Sequence, residues 1–142
     1  MRVLLDTNVV SELRREQADD NVINWMSQQS LELCYLSVLS LGEIEKGIAY
    51  LGQNKRATAY KQWLEQDLKP SFVGRILTID EDIMTVWGEL VGTLLKQGRP
   101  LPLIDSFFAA TAVTYDLTLA TRITKDVEAL PVAVVNPWLS VS

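Results

Sequence analysis

The sequence contains no histidine, a single cysteine and no long apolar run, and each absence excludes a class of protein. In a chain of 142 residues, the missing histidine removes the usual serine and cysteine triads, histidine-rich zinc sites and the commonest general base. Cys34 alone cannot form an internal disulfide, and its apolar neighbours in LCYL favour a buried structural thiol over a nucleophile. Any chemistry must therefore depend on carboxylates, hydroxyls, lysine, arginine or a metal ion.

Segments of membrane-spanning length are also lacking, and so is an excess of basic charge. No apolar run approaches the roughly 18 residues needed to span a bilayer, and Asp6 comes too early for the apolar core of a signal peptide. We therefore predict a soluble, cytoplasmic protein without membrane association. The formal net charge of −5 argues against general affinity for nucleic acid, but it allows a small site where a bound cation offsets it.

The apolar pattern predicts one α/β domain spanning residues 1–142. Helical patterns separate the apolar runs, and a helix over 55–68 is expected to end before Pro70. Alternating strands and helices imply a parallel sheet of about five strands with helices on both faces. The predicted strands cover residues 3–5, 31–36, 75–79, 117–120 and 132–135.

Four acids lie in apolar surroundings, unlike most of the eighteen acidic residues. Asp6 ends the first strand, and Glu43 lies within LSLGEIEKG on a predicted helix. Asp105 falls in the first turn of the apolar helix PLIDSFFAATA, and Asp126 follows the fourth strand in ATRITKD. Because parallel strands point their carboxyl ends at one edge of the sheet, and helices start there, we expect these four acids to lie together.

A cluster of carboxylates must be protonated or must hold a cation. Two carboxylates about 4 Å apart repel each other by roughly 4 kcal/mol at an effective dielectric constant of 20. Because the chain offers oxygen ligands without histidine, the expected ion is Mg²⁺ or Mn²⁺, which bind carboxylates and substrate phosphates. The pattern therefore predicts metal-assisted hydrolysis of a phosphodiester.

Each of these acids also has a structural interpretation. Asp6 is placed to cap the helix that follows it, and Glu43 is placed to pair with Lys46 on the same helix. Asp105 complements the dipole of its own helix, and Asp126 suits the first turn of a surface helix. These interpretations leave the apolar surroundings unexplained, so the four acids together favour a functional site.

Four segments resemble, in order and over nearly the full length, PIN-domain ribonucleases of the VapC toxin type. They are LLDTNVVSEL, LSLGEIEKGI, PLIDSFFAATA and the stretch from LATRITKD to the terminal NPW. The resemblance implies a parallel five-stranded α/β fold and a Mg²⁺- or Mn²⁺-dependent endoribonuclease that cleaves RNA as a toxin. It also implies a homodimer that is inactivated by a cognate VapB-like antitoxin, which inserts a segment near the acidic site.

The acids of that family match this chain at three positions and differ at a fourth. The resemblance assigns Asp6, Glu43 and Asp105 to metal binding and catalysis. The family's last acid or amide falls at Ile123, so Asp126 is the acid available to complete the site. A catalytically weak PIN domain that mainly binds its antitoxin is therefore an alternative hypothesis. An aspartyl phosphatase is a second, disfavoured alternative. Such an enzyme needs another acid two residues after the first, and this chain has Asn8 at that position.

Overall fold

Five short parallel strands form the central layer of the fold. In the computed structural model, which describes residues 1–139, the strands lie in the order β3-β2-β1-β4-β5. Each neighbouring pair is parallel, because a helical segment carries the chain back between strands. The strands are β1 Val3–Leu5, β2 Cys34–Ser37, β3 Ile76–Leu77, β4 Thr118–Ala120 and β5 Val134–Val135. The predicted fold class is thus confirmed, whereas the predicted domain end at residue 142 lies outside the described residues.

Helices cover both faces of this sheet. Several begin at polar caps: the Ser37 hydroxyl accepts from the backbone N–H of Leu39, and the Asp80 carboxylate accepts from that of Ile83. Within residues 1–139, no helix combines the length and the apolar character that crossing a membrane requires. The α-helices are α1 Thr7–Arg14, α2 Asp20–Ser27, α3 Val38–Leu51, α4 Lys55–Gln62, α5 Lys69–Ser71, α6 Glu81–Lys96 and α7 Leu103–Thr114.

Alternate side chains of the strands enter two different cores. Leu5 of β1 packs with Val9 and Ile44 on the face covered by α1 to α4. Leu4, one residue earlier, packs with Phe108 of α7 on the opposite face. Because successive strand side chains point in opposite directions, β1 contributes side chains to both cores, and all of its residues are buried.

The carboxyl edge of the sheet is where three helices begin. A single residue, Asp6, separates β1 from α1, and α3 follows β2 directly. The backbone N–H of Asp6 bonds to the Ala120 carbonyl at 2.9 Å, so the sheet hydrogen bonding extends to the site of the first acid. The start of α7 reaches the same edge, because its Asp105 lines a cavity together with Asp6.

Some predicted strand bounds and one predicted helix end were wrong. The predicted strand over 31–36 begins as a 3₁₀ turn, Leu31–Leu33, and the two outer strands shrink to Ile76–Leu77 and Val134–Val135. Short edge strands are common, because a long unpaired edge invites aggregation. The helix predicted to end before Pro70 instead continues through α5 after a π-helical stretch, Trp63–Leu68. Pro70 is the second residue of the three-residue α5, within the last turn of this continuous helical segment.

Replacing Leu4 by alanine tests the double-sided core. Leu4 is fully buried, so Leu4→Ala should lower the free energy of unfolding by about 2–5 kcal/mol through lost burial and a residual cavity. Leu95→Ala is the matched control, because Leu95 is 63% exposed and its truncation should change stability by less than about 0.5 kcal/mol. Urea unfolding followed by circular dichroism measures both. Equal losses for the two variants would contradict this account of the core.

Candidate active site

Asp6 is a buried carboxylate that does not cap its helix. Only 7% of the residue is exposed, and its side chain closes no capping hydrogen bond on α1. It accepts instead from the Thr121 hydroxyl, with 2.6 Å between Oγ1 and Oδ2. Burial raises the pKa of Asp6, while the Thr121 hydroxyl and the nearby N–H groups of Thr7 and Asn8 oppose that rise. The structural interpretation of Asp6 as a cap therefore does not apply.

Glu43 is held by a chain of two hydroxyls. The Thr7 hydroxyl donates to Glu43 Oε1 at 2.6 Å, and the Ser40 Oγ lies 2.8 Å from the Thr7 Oγ1. Because Thr7 uses its proton on Glu43, the fully buried Ser40 must donate to Thr7. These two hydrogen bonds hold the Glu43 carboxylate at the cavity and away from Lys46.

The other acid of that helix segment faces away from the site. Glu45 pairs with Lys61 of α4 at 2.8 Å, so it belongs to the surface between α3 and α4. Within residues 1–139, Lys46 makes no ion pair shorter than 4.0 Å. The predicted alternative pairing of Glu43 with Lys46 is therefore not present.

Asp105 brings a third carboxylate to the same place. It is half-buried in the first turn of α7. Burial raises its pKa most, followed by the negative charges of Asp6, Asp126 and Glu43. The side chain therefore lies within electrostatic range of all three other predicted acids.

Three of the four predicted acids line one cavity of about 420 Å³. Its wall combines these carboxylates with small polar side chains and two isoleucines. The lining residues are Asp6, Thr7, Asn8, Ser11, Glu43, Ile104, Asp105 and Ile123. A larger cavity of about 750 Å³ lies between α3 and α4, but its lining includes no acid, so it offers no comparable chemistry.

Asp126 lies apart from this wall. It is exposed on the 3₁₀ turn Lys125–Val127, and it acts on the site through its charge on Asp105. Ile123 occupies the corresponding part of the cavity wall, where its side chain is 47% exposed. Its backbone N–H donates to the Thr121 Oγ1 at 3.2 Å, which steadies the hydroxyl that holds Asp6. Residue 123 thus contributes a backbone donor and an apolar side chain, not a ligand.

The donor set of the cavity fits a hydrated, hard cation. The polar side-chain groups that line it are carboxylates, hydroxyls and the amide of Asn8. The Asn8 Oδ1 is a buried acceptor without a hydrogen-bond partner among residues 1–139. In the same described part of the chain, no three acidic or cysteine side chains converge closely enough to bind one ion together. Mg²⁺ suits this arrangement, because it keeps several waters and binds proteins through one or two carboxylates.

A second buried acid, Glu12, has a purely structural role. Only 5% of the residue is exposed, and its carboxylate accepts from the Arg15 guanidinium at 3.1 Å. It also accepts from the backbone N–H of Asp19 at 2.9 Å, which closes the loop between α1 and α2. The sequence did not distinguish Glu12 from solvated acids, because its partner is a loop backbone.

Two basic side chains of this part of the chain lie over aromatic rings. The Arg14 guanidinium lies over the Tyr60 ring at 3.8 Å, and that of Arg122 lies over the Trp138 ring at 5.1 Å. Lys46 lines a cavity of about 330 Å³ that shares Glu43 and Ile104 with the acidic one. Lys46 therefore shares a cavity wall with one of the three carboxylates.

Comparison with known proteins assigns the chain to a family. The family model described as the PIN domain matches residues 3–126. The chain therefore belongs to the PIN-domain family, as the resemblance predicted. Membership in this family leaves the aspartyl phosphatase alternative without support.

Individual relatives are similar over almost their whole length. Toxin FitB of Neisseria gonorrhoeae is 38% identical over 96% of this chain and 98% of its own. VapC ribonuclease Y4jK of Sinorhizobium fredii is 35% identical over 96% of this chain and 97% of its own. The crystal structure of FitAcB from Neisseria gonorrhoeae superposes with a TM-score of 0.90, at 38% identity, covering 96% of this chain and 98% of the other.

The raised pKa of Asp105 predicts that its charge destabilises the metal-free protein. A raised folded-state pKa means that stability falls as pH rises from the unfolded value, 3.8, through the folded one. At pH 7, Asp105→Asn should therefore raise the Tm by about 2 °C at most, because solvent screening of a half-exposed carboxylate keeps the effect below about 1 kcal/mol. At about pH 3 the gain should vanish, because aspartate is then protonated in both states.

Differential scanning calorimetry in EDTA measures this effect. Asp67→Asn is the control, because Asp67 is exposed on the π-helical stretch and outside the acidic cavity. A lower Tm for Asp105→Asn at pH 7 would show that the side chain is instead stabilising.

Proposed function

We propose that this chain is a divalent-cation-dependent endoribonuclease and the toxin member of a toxin–antitoxin pair. The observation that carries the proposal is the single cavity lined by the carboxylates of Asp6, Glu43 and Asp105. Asp6 precedes α1, Glu43 lies in the second turn of α3 and Asp105 lies in the first turn of α7, so no single capping requirement explains their meeting. The names of the similar proteins, Toxin FitB and VapC ribonuclease Y4jK, support the same assignment.

Asp6 and Asp105 would hold Mg²⁺ or Mn²⁺ across the cavity. A cation bound there would lower the pKa of a water molecule and offset the negative charge of the phosphate. Glu43 would accept the proton of the attacking water, a role that falls to a carboxylate because the chain has no histidine. The Thr7 hydroxyl keeps Glu43 Oε1 occupied, so Oε2 is the oxygen available for that proton.

The hydroxyls and the amide of the cavity would orient these groups. The Thr121 hydroxyl donates to Asp6 Oδ2 and would hold this carboxylate in place for a cation. The unpartnered Asn8 Oδ1 is an acceptor for a water of the hydrated ion or for a hydroxyl of the RNA. Each ligand is thus held by a neighbour, which lowers the cost of ordering it when the ion binds.

RNA would reach the acids through local charge, because the whole chain is acidic. Lys46 is placed to contact a phosphate next to the scissile one, since it lines the cavity adjoining the acidic site. With a net charge of −5, binding without a cation is expected to be weak. Cation binding and substrate binding are therefore coupled in this proposal.

The proposed partner is a cognate antitoxin that occupies the acidic cavity. This partner follows from the PIN-domain family and from the toxins among the relatives. A segment that bears a lysine or arginine suits the three carboxylates, because it replaces the missing cation. The homodimer expected from the sequence remains a prediction that light scattering would test.

The weak-nuclease alternative is disfavoured, because Ile123 leaves the three acids of the cavity in place.

Cleavage of RNA by antitoxin-free protein tests the enzymatic proposal. The wild type should cleave single-stranded RNA with Mg²⁺ or Mn²⁺ and stop in EDTA. Asp6→Asn should lower the cleavage rate by at least about 100-fold, the loss typical of removing a group that stabilises transition-state charge, while circular dichroism stays unchanged. Cleavage that persists in EDTA, or an unaffected Asp6→Asn variant, would contradict the proposal.

Asp126→Ala tests how many acids the site needs. Because Asp126 is exposed and outside the cavity lining, its removal should change the cleavage rate by about fivefold at most, the effect of about 1 kcal/mol from an exposed charge. Glu128→Ala is the matched control, since Glu128 is also exposed and lies two residues further along. A loss near that of Asp6→Asn would instead make Asp126 a full member of the site.

A further inference from the structure

The first turn of α7, which carries Asp105, is weakly held by its own sequence. The N-cap residue is Pro102, which supplies no side-chain hydrogen bond to the helix start. Leu103 and Ile104 are 60% and 37% exposed, so neither anchors the turn in a core. Ser106 is the buried residue of this turn, at 3% exposure. Something outside α7 must therefore fix the position of Asp105.

Asp105 also lacks the support that the other two acids have. Asp6 and Glu43 each accept a hydroxyl hydrogen bond at 2.6 Å. Among residues 1–139, burial and neighbouring negative charges dominate the surroundings of Asp105, and no hydrogen-bond donor offsets them. Repulsion from the other carboxylates thus pushes the turn away from the cavity.

Trp87 of α6 contacts the two residues that follow Asp105. Its indole N–H donates to the Ser106 Oγ at 2.8 Å, and the Ser106 hydroxyl donates in turn to the Leu103 carbonyl. Its ring stacks on the Phe107 ring with 5.3 Å between centroids and 17° between planes. The hydrogen bond and the stacking together hold α7 at its uncapped end.

We propose that Trp87 is a positioning residue for Asp105, which it keeps in the acidic cavity by holding Ser106 and Phe107. This inference rests on the proposed function, because the consequence of a displaced Asp105 is weaker cation binding. Trp87 is not among the residues that line the acidic cavity, so it would act through Asp105. Its indole N–H is the specific element, since the hydroxyl it binds closes the first turn of α7.

Trp87→Phe separates the hydrogen bond from the stacking. The phenyl ring retains an aromatic face for Phe107 but offers no donor to Ser106. Mn²⁺ affinity, measured by electron paramagnetic resonance on the full chain, should fall by about tenfold, as for other residues that orient a metal ligand. Amide hydrogen exchange in the first turn of α7 should become about fivefold faster, because a buried hydrogen bond is lost.

Two further variants make the test specific. Trp63→Phe is the matched control, since Trp63 lies in the π-helical stretch, packs at a tilt against the Tyr60 ring and lies outside the acidic cavity. It should leave Mn²⁺ affinity and exchange in α7 unchanged. Ser106→Ala removes the acceptor, so it should reproduce the effects of Trp87→Phe, and the double variant should add little to either.

The results distinguish this inference from the proposed function. Unchanged Mn²⁺ affinity and unchanged exchange in Trp87→Phe would overturn the positioning role, and so would a loss fully explained by a lower urea midpoint. Absent Mn²⁺ binding in the wild type would overturn the proposed function instead. Faster exchange confined to α7 would then still establish that Trp87 holds the turn.

Discussion

Electrostatic repulsion among carboxylates at one edge of the sheet is the constraint on which the rest of the structure depends. Two ionised carboxylates about 4 Å apart repel each other by roughly 4 kcal/mol at an effective dielectric constant of 20, and the repulsion falls as their separation grows. Burial adds to this cost, since it raises the pKa of both Asp6 and Asp105. A fold that brings these groups together without a cation must hold them in place through hydrogen bonds and packing elsewhere.

Different supports hold the three acids at that edge. Asp6 is fixed by the end of the central strand and by a hydroxyl from the neighbouring strand end. Glu43 depends on a hydroxyl chain that links α1 and α3. Asp105 has neither kind of support. Instead, the Trp87 indole of α6 donates to Ser106, the residue that follows Asp105 in α7. The helices on both faces of the sheet are thus required by the site as well as by the core, because each acid is held by a residue from another element.

Most of the fold and part of the site were predictable from the sequence, for physical reasons that differ between residues. The run Val3–Leu5 and the abrupt Asp6 predict a buried strand end, because a local pattern of burial determines them. Glu43 and Asp105 follow from topology, since parallel strands and helix starts share one edge. Ser40 and Trp87 were not predicted, because each acts through a contact with another helix. For Ser40, the one available signal was a small polar residue three positions before Glu43 on the same helix face.

Paramagnetic broadening by Mn²⁺ tests most directly whether the carboxyl edge is a cation site. In a spectrum of assigned backbone amides at pH 7, we expect substoichiometric Mn²⁺ to broaden the signals of Asp6, Asn8 and Asp105 first. Excess Mg²⁺ should restore them, because both ions compete for the same oxygen ligands. Broadening that begins instead at Asp80 and its acidic neighbours on α6, or that spreads evenly over the surface, would contradict a cation site at this edge.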